Sequence, residues 1–260
     1  MENDDRQIGH VVSRREAIIL LSAAGASLIA GCSSGQTSAA ATSETADASN
    51  PRTANATSGG APQGCVVRPA QTEGPYFVDE KLNRSDIRSD PSDGSVRPGV
   101  PLELTFAVSQ LGKGTCTPVA GAVVDVWHCD AAGVYSDVQD PSFDTRGKKY
   151  LRGYQVTDAA GRAKFTTIYP GWYQGRAVHI HFTVRTNPGA PTAHQFTSQI
   201  YFDEAVNDKV FAQAPYATKG ERMRNGRDGI FRRGGAALIL PVTEAGNGYA
   251  GTFDIALDIA

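Results

Sequence analysis

The chain has 260 residues, 40% of them hydrophobic and 20% charged, with 28 Gly, 14 Pro and a formal net charge of −2. That length suits one large domain or two small ones with a sizeable core, and the near-neutral balance leaves neither a basic surface for nucleic acid nor an acidic tail. No apolar run reaches the roughly 18 residues that a spanning helix needs, and Gly and Pro without a G-X-Y period point to a turn-rich β protein.

The N-terminus reads as an address. Ser13-Arg14-Arg15 precedes the apolar run Ala17–Ala30, too short to span a membrane but suited to a signal segment. Twin arginines there resemble the leader of the twin-arginine export route. Leu28-Ile29-Ala30-Gly31-Cys32 resembles a lipobox that would leave Cys32 lipidated as the mature N-terminus. The expectation is a signal segment over residues 1–31, a lipid-anchored tether over 32–64 and a folded domain over 65–260. The tether is Ser-, Thr-, Ala- and Gly-rich, cannot bury enough to order itself, and would reach on the order of 30 Å. Such a chain works exported, at the outside of the cell membrane or in the cell envelope, and touches the membrane only through its lipid.

Beyond Cys32 lie Cys65, Cys116 and Cys129. In an exported chain one disulfide is expected, and three pairings are open. Cys65–Cys116 is favoured, because Cys65 opens the folded region and Cys116 lies in the loop Gly112–Pro118. With no CxxC spacing, zinc held through sulfur is not indicated.

From Cys65 the chain reads as strands and turns. Leu102, Leu104, Phe106 and Val108 alternate with polar or small residues, the period of a half-buried strand. Further strands are expected at Ala122–Trp127, Tyr154–Thr157, Ala163–Ile168, His179–Val184, Thr197–Phe202 and Ala237–Leu240, with Phe253, Ile255, Leu257 and Ile259 alternating at the end. Glu204–Ala212 is the best helix candidate. The expected fold is an all-β sandwich of short, mostly antiparallel strands with long loops.

His179-Ile180-His181-Phe182-Thr183-Val184 carries the strongest chemical signal. Alternation puts His179, His181 and Thr183 on one face and the apolar residues on the other. Two imidazoles at i and i+2 on a rigid strand can share a metal ion; paired surface histidines are the alternative that HxH alone leaves open. No carboxylate occurs from Phe182 to Ala193 to complete a site downstream, but tyrosines stand upstream: Tyr135 in a loop after Trp127-His128-Cys129-Asp130, and Tyr173 six residues before His179. Phenolate is a hard anionic donor that a highly charged cation deprotonates, so Tyr with His suits ferric iron better than zinc or copper(I). Tyr169, four residues from Tyr173, reads as packing. His128 has no assigned role.

These residues sit in a longer pattern: Thr72-Glu73-Gly74-Pro75-Tyr76-Phe77, Asp125-Val126-Trp127-His128, Gly133-Val134-Tyr135, Pro170-Gly171-Trp172-Tyr173, Arg176-Ala177-Val178-His179-Ile180-His181 and Gln199-Ile200-Tyr201-Phe202. The pattern resembles the intradiol ring-cleavage dioxygenases, the family of protocatechuate and catechol dioxygenases. The resemblance implies non-haem Fe(3+) held by Tyr135, Tyr173, His179 and His181, with Tyr173 the ligand that leaves when substrate arrives. It implies that Gly74, Pro75 and Tyr76 lie near the substrate, and that Arg176 and Gln199 stabilise charge on the ring. The implied reaction opens a catechol-type aromatic diol between its hydroxyl carbons with O2, giving a muconate-type diacid; catechol, hydroxyquinol and protocatechuate remain open as substrates. The family's helical dimerisation region has no counterpart in the tether, and nothing indicates a partner chain, so the oligomeric state is open. A second resemblance, of Gly121–Gly171 to β-sandwich modules of adhesins and carboxypeptidase accessory domains, implies a non-catalytic, lipid-anchored binding module.

Overall fold

The structure, a computed structural model, describes residues 65–113, 115–190, 193–216 and 220–259. The signal segment, Cys32 and the tether lie outside the described residues. Among the described residues two large sheets form the body of the domain, and β4 (Gln139–Asp140) and β5 (Phe143–Asp144) pair antiparallel as a small third one. The first is built around β1 (Pro101–Leu111), whose one edge pairs in parallel with β11 (Gly248–Leu257). Its other edge pairs antiparallel, first with β7 (Arg162–Ile168) and then with β2 (Cys116–Pro118). β10 (Val242–Ala245) completes this sheet beside β11. The second sheet runs β6 (Arg152–Val156), β3 (Val123–Trp127), β8 (His179–Thr186) and β9 (His194–Tyr201), antiparallel throughout.

The core lies between the sheets. Leu102, Leu104, Phe106 and Val108 of β1 face inward and are buried, as their alternation predicts. Ile180, Phe182 and Val184 meet them from β8, with Phe182 centred 5.1 Å from Phe106 and 5.4 Å from Phe253. Emptying such a site, as in Phe182→Ala, costs about 3–5 kcal/mol. Cys65 is joined to Cys116 across 51 residues, with the Cα atoms 5.6 Å apart.

Two expectations need correction or refinement. Ala237–Leu240 is not a strand: a 3-10 turn covers Gly235–Leu238. Gly234 takes a left-handed conformation at φ 94°, and the residues buried here are Gly235 and Leu238, a spacing of three that belongs to a helical turn. A short apolar run carries no period with which to tell the two apart. The helix forms as α1 (Glu204–Phe211), started by Asp203, whose side chain accepts from the Ala205 N–H.

Candidate metal centre and its surroundings

Cross-strand register assembles the site on the outer face of the second sheet. Arg152, Trp127, His181 and Gln199 stand opposite one another across β6, β3, β8 and β9, and His179 pairs with Tyr201 one step along. In an antiparallel sheet such partners share a face, and this face is opposite to the one carrying Phe182. An outer sheet face usually meets water; here it is buried, with His181 and His179 each 2% exposed and Gln199 fully enclosed. The segment from Pro69 to Phe77 lies across it, held by Ser198 Oγ donating to the Pro69 carbonyl, the Gln71 N–H to Thr197, and Gln199 Nε2 to Thr72. The loop after β3 and the loop before β8 close the remainder.

Three donor atoms converge there. The Tyr135 hydroxyl is 3.2 Å from His179 Nε2, which is 2.9 Å from His181 Nε2. His179 Nδ1 lies 2.6 Å from the Ala177 carbonyl, an acceptor, so the ring's proton sits on Nδ1 and the lone pair on Nε2 points into the cluster. His181 stacks on Trp127, with ring centres 5.1 Å apart and planes 6° from parallel. Burial, reinforced by the Arg176 charge, lowers the His179 pKa to about 3; burial and His179 hold His181 well below its ordinary value. Both imidazoles are therefore neutral donors. Burial likewise pushes the Tyr135 phenol well above its ordinary value, so only a strong local positive charge would ionise it. Two imidazole Nε2 atoms converging beside a phenol that awaits a cation fit a hard, highly charged metal ion, and the His181 Nδ1 opposite has no hydrogen-bond partner among the described residues to hold the ring otherwise. Among the described residues no three of His, Cys, Asp and Glu converge in this way; the cluster depends on tyrosine.

Tyr173 stands beside the cluster, its ring centre 6.1 Å from that of Tyr135. Its hydroxyl is engaged with other partners, 2.6 Å from the Tyr76 hydroxyl and 2.9 Å from Asp140 Oδ2, which also accepts from Tyr76 at 2.5 Å. Burial and the bond to Asp140 raise the Tyr76 pKa, while Tyr76 lowers that of Asp140. Gly74, at φ 78°, passes directly over His181: a Cβ there would fall 3.1 Å from His181 Cε1. Pro75 and Tyr76 form the turn that follows.

Arg176 and Gln199 are brought together. Arg176 Nη2 donates to Gln199 Oε1 at 2.6 Å, and Arg176 Nε to Asp228 Oδ2 at 3.0 Å. Tyr169 stands apart, its hydroxyl donating to buried Asn207 Oδ1 at 2.7 Å. His128 is buried between Thr167 Oγ1 at 2.7 Å and the Cys129 carbonyl at 2.8 Å. Asp140 and Asp228 had no signal in the sequence. Each is one acid in an acidic or basic run, and only the folded loops aim them.

The family model described as Dioxygenase matches residues 72–257. Catechol 1,2-dioxygenase 1 of Acinetobacter lwoffii is 29% identical over 209 residues, 70% of this chain and 55% of that protein. The protocatechuate 3,4-dioxygenase beta chain of Burkholderia cepacia is 30% identical over 196 residues, 70% of this chain and 76% of its own. This chain thus spans little more than half the length of the catechol dioxygenase it matches. Among solved structures, the intradiol ring-cleavage dioxygenase from Tetranychus urticae superposes with a TM-score of 0.64 at 30% identity, covering 75% of this chain and 95% of that one.

Proposed function

The chain belongs to the intradiol ring-cleavage dioxygenase family, and on that premise we propose that it opens a catechol-type aromatic diol between its two hydroxyl carbons with O2, yielding a muconate-type diacid. The convergence of Tyr135 Oη, His179 Nε2 and His181 Nε2 within 3.2 Å of their neighbours carries the reading. The family match over residues 72–257 extends well beyond the Gly121–Gly171 stretch behind the binding-module resemblance, and favours the enzyme.

Non-haem Fe(3+) held by Tyr135, His179, His181 and Tyr173 would supply the Lewis acidity that draws the diol in as an anion and makes its ring reactive toward O2. This chain's residues do the remainder. His179 keeps its lone pair on Nε2 by donating from Nδ1 to Ala177. Trp127 and the covering segment at Gly74 exclude water from His181. Tyr173 would have an alternative to metal ligation, in which its hydroxyl donates to Asp140 and accepts from Tyr76. Asp140 there holds a base beside the phenol through which a diol proton can leave. Arg176 and Gln199, fixed to each other before substrate arrives, offer preorganised donors to negative charge on the ring.

The leader and Cys32 complete the proposal: export by the twin-arginine route directed by the signal segment 1–31, lipidation at Cys32, and presentation of the 65–260 domain on the 32–64 tether. Replacing Arg14 and Arg15 by Lys is expected to stop export. The reaction itself is tested by the visible spectrum of the iron-reconstituted protein, before and after anaerobic catechol. A red-brown tyrosinate-to-iron band that changes with catechol is expected; a protein that stays colourless overturns the ligand assignment.

A further inference from the structure

We propose that Asp228 is a positioning residue for ring cleavage: its carboxylate aims the Arg176 guanidinium at Gln199 and anchors the Ala177 backbone, whose carbonyl orients His179. The proposal rests on the reaction proposed above.

The carboxylate is 1% exposed and lies outside every motif of the sequence reading. Its two oxygens divide the work. Oδ1 accepts from the N–H groups of Ile230 at 2.7 Å and Phe231 at 3.3 Å, which caps the turn that follows. Oδ2 faces the site, accepting from Arg176 Nε at 3.0 Å and from the Ala177 N–H at 2.9 Å. Burial opposes its ionisation, but the Ala177 N–H and the Arg176 charge outweigh that and lower its pKa. A buried carboxylate so satisfied is a rigid point of reference.

Two lines of force leave Oδ2. Along one, Arg176 is gripped at Nε, so that Nη2 is left to reach Gln199 Oε1 at 2.6 Å and the Tyr201 hydroxyl at 3.3 Å. Gln199 is then oriented at both ends, because its Nε2 donates to the Thr72 carbonyl at 2.8 Å. Along the other, Ala177 has its N–H on Asp228 and, in the next peptide unit, its carbonyl on His179 Nδ1, 2.6 Å away, so the carboxylate anchors the backbone residue that orients the imidazole. One carboxylate thus orients both the electrostatic donors and a metal-facing imidazole. A guanidinium without this grip keeps its charge but loses its direction, and direction is what a preorganised donor contributes.

The test uses Asp228→Asn in the full chain. Either orientation of the new amide leaves one pair of N–H donors facing an NH2 group, so the grip fails while the side-chain volume is kept. In the iron-loaded protein we expect kcat to fall roughly 10–100-fold with KM changed less than about threefold, while the spectral change on anaerobic catechol persists. In an Arg176→Ala background the same substitution should cost kcat clearly less than it does in the wild type, since one of the two routes from Asp228 is already gone and only the one through Ala177 to His179 remains. Full additivity of the two losses, or wild-type kcat in Asp228→Asn, overturns the proposal. A second readout needs neither iron nor turnover: in the iron-free protein labelled with 15N-arginine, the Arg176 Nε–H signal, assigned by its loss in Arg176→Lys, should exchange slowly with solvent. Exchange as fast as that of the exposed Arg232 overturns the grip even where Asp228→Asn does not fold. Slow exchange without catechol turnover would instead retire the reaction and leave the grip intact.

Discussion

The Nε2 atoms of His179 and His181 face each other at 2.9 Å from one strand, and the Tyr135 hydroxyl closes on the first of them. Three polar atoms so close, with both imidazoles neutral, make a site that a cation stabilises and that loses its purpose when one donor is removed. Tyr135→Phe and His181→Ala are each expected to abolish the iron charge-transfer band and bound iron measured by elemental analysis. Tyr169→Phe is the control. It leaves Asn207 Oδ1 buried without its hydroxyl donor, which costs about 1–3 kcal/mol of stability, yet keeps iron and colour. Loss of colour in Tyr169→Phe would transfer the ligand role to that tyrosine.

Tyr173 has two hydrogen-bond partners, Tyr76 and Asp140, and under the proposed iron ligation the balance between those bonds and iron would decide how readily it leaves the metal. Tyr76→Phe removes one partner and Asp140→Asn weakens the other by removing its charge. Each should tip Tyr173 toward the metal, slowing the anaerobic spectral change with catechol in stopped-flow mixing by several-fold, with iron content unchanged. A rate equal to wild type in both variants would remove these residues from the substrate-binding step.

Gly74 is needed for two physical reasons at once: a φ of 78° and the His181 ring beneath it. Gly74→Ala should therefore cost about 1 kcal/mol for the backbone alone, and press a methyl against a ring already stacked on Trp127. The expected outcome is weaker iron retention under chelator challenge together with a lower melting temperature. A melting temperature that falls while chelator resistance holds would show that the ring gives way without disturbing its Nε2.

How much of this was legible in the sequence follows from the range of the forces involved. The alternation in β1 and in His179–Val184 is local, so the sequence announces both the core face and the histidine face. Tyr135 and Tyr173 were singled out because a metal demands few and particular donor types, and the fold brings the Tyr135 hydroxyl to the histidines while Tyr173 stands beside them. What the sequence did not carry was the covering of an outer sheet face by the Pro69–Phe77 segment, which rests on bonds across more than a hundred residues, such as Gln199 to Thr72. Asp140 and Asp228 were missed for the same reason: their meaning lies in which loop tip they are carried to. The turn at Gly235–Leu238 was misread because two residues buried three apart look, in a short apolar run, like any hydrophobic stretch.

The Cys65–Cys116 bond ties the start of the covering segment to β2, closing a loop of 51 residues. Constraining the unfolded chain over such a length is worth roughly 2–4 kcal/mol. Cys65→Ser should lower the urea midpoint accordingly, and because Pro69 to Gly74 lies just beyond, it should also increase the chelator sensitivity of bound iron. An unchanged midpoint would show that hydrogen bonds such as Ser198 to Pro69 suffice to hold the segment.

His128 offers a prediction in pH. Burial lowers its pKa to about 4, against an ordinary value of 6.5, and its ring nitrogens are occupied by the Cys129 carbonyl and the Thr167 hydroxyl. Between these two values the unfolded chain takes up a proton that the folded one refuses. Stability from this group is therefore complete above pH 6.5 and is lost as pH falls toward 4, at about 1.4 kcal/mol per pH unit. His179 and His181 act in the same direction in the iron-free protein. Asp125 opposes them: burial raises its pKa to about 6 even with Arg185 beside it, so the folded form gains its proton first as pH falls. Urea unfolding of the iron-free protein at pH 7 and pH 5 should show a drop, and His128→Gln should reduce that drop by about 2 kcal/mol. Parallel losses in the two proteins would mean that His128 takes up its proton without leaving the fold, and that Thr167 and Cys129 accommodate the charge.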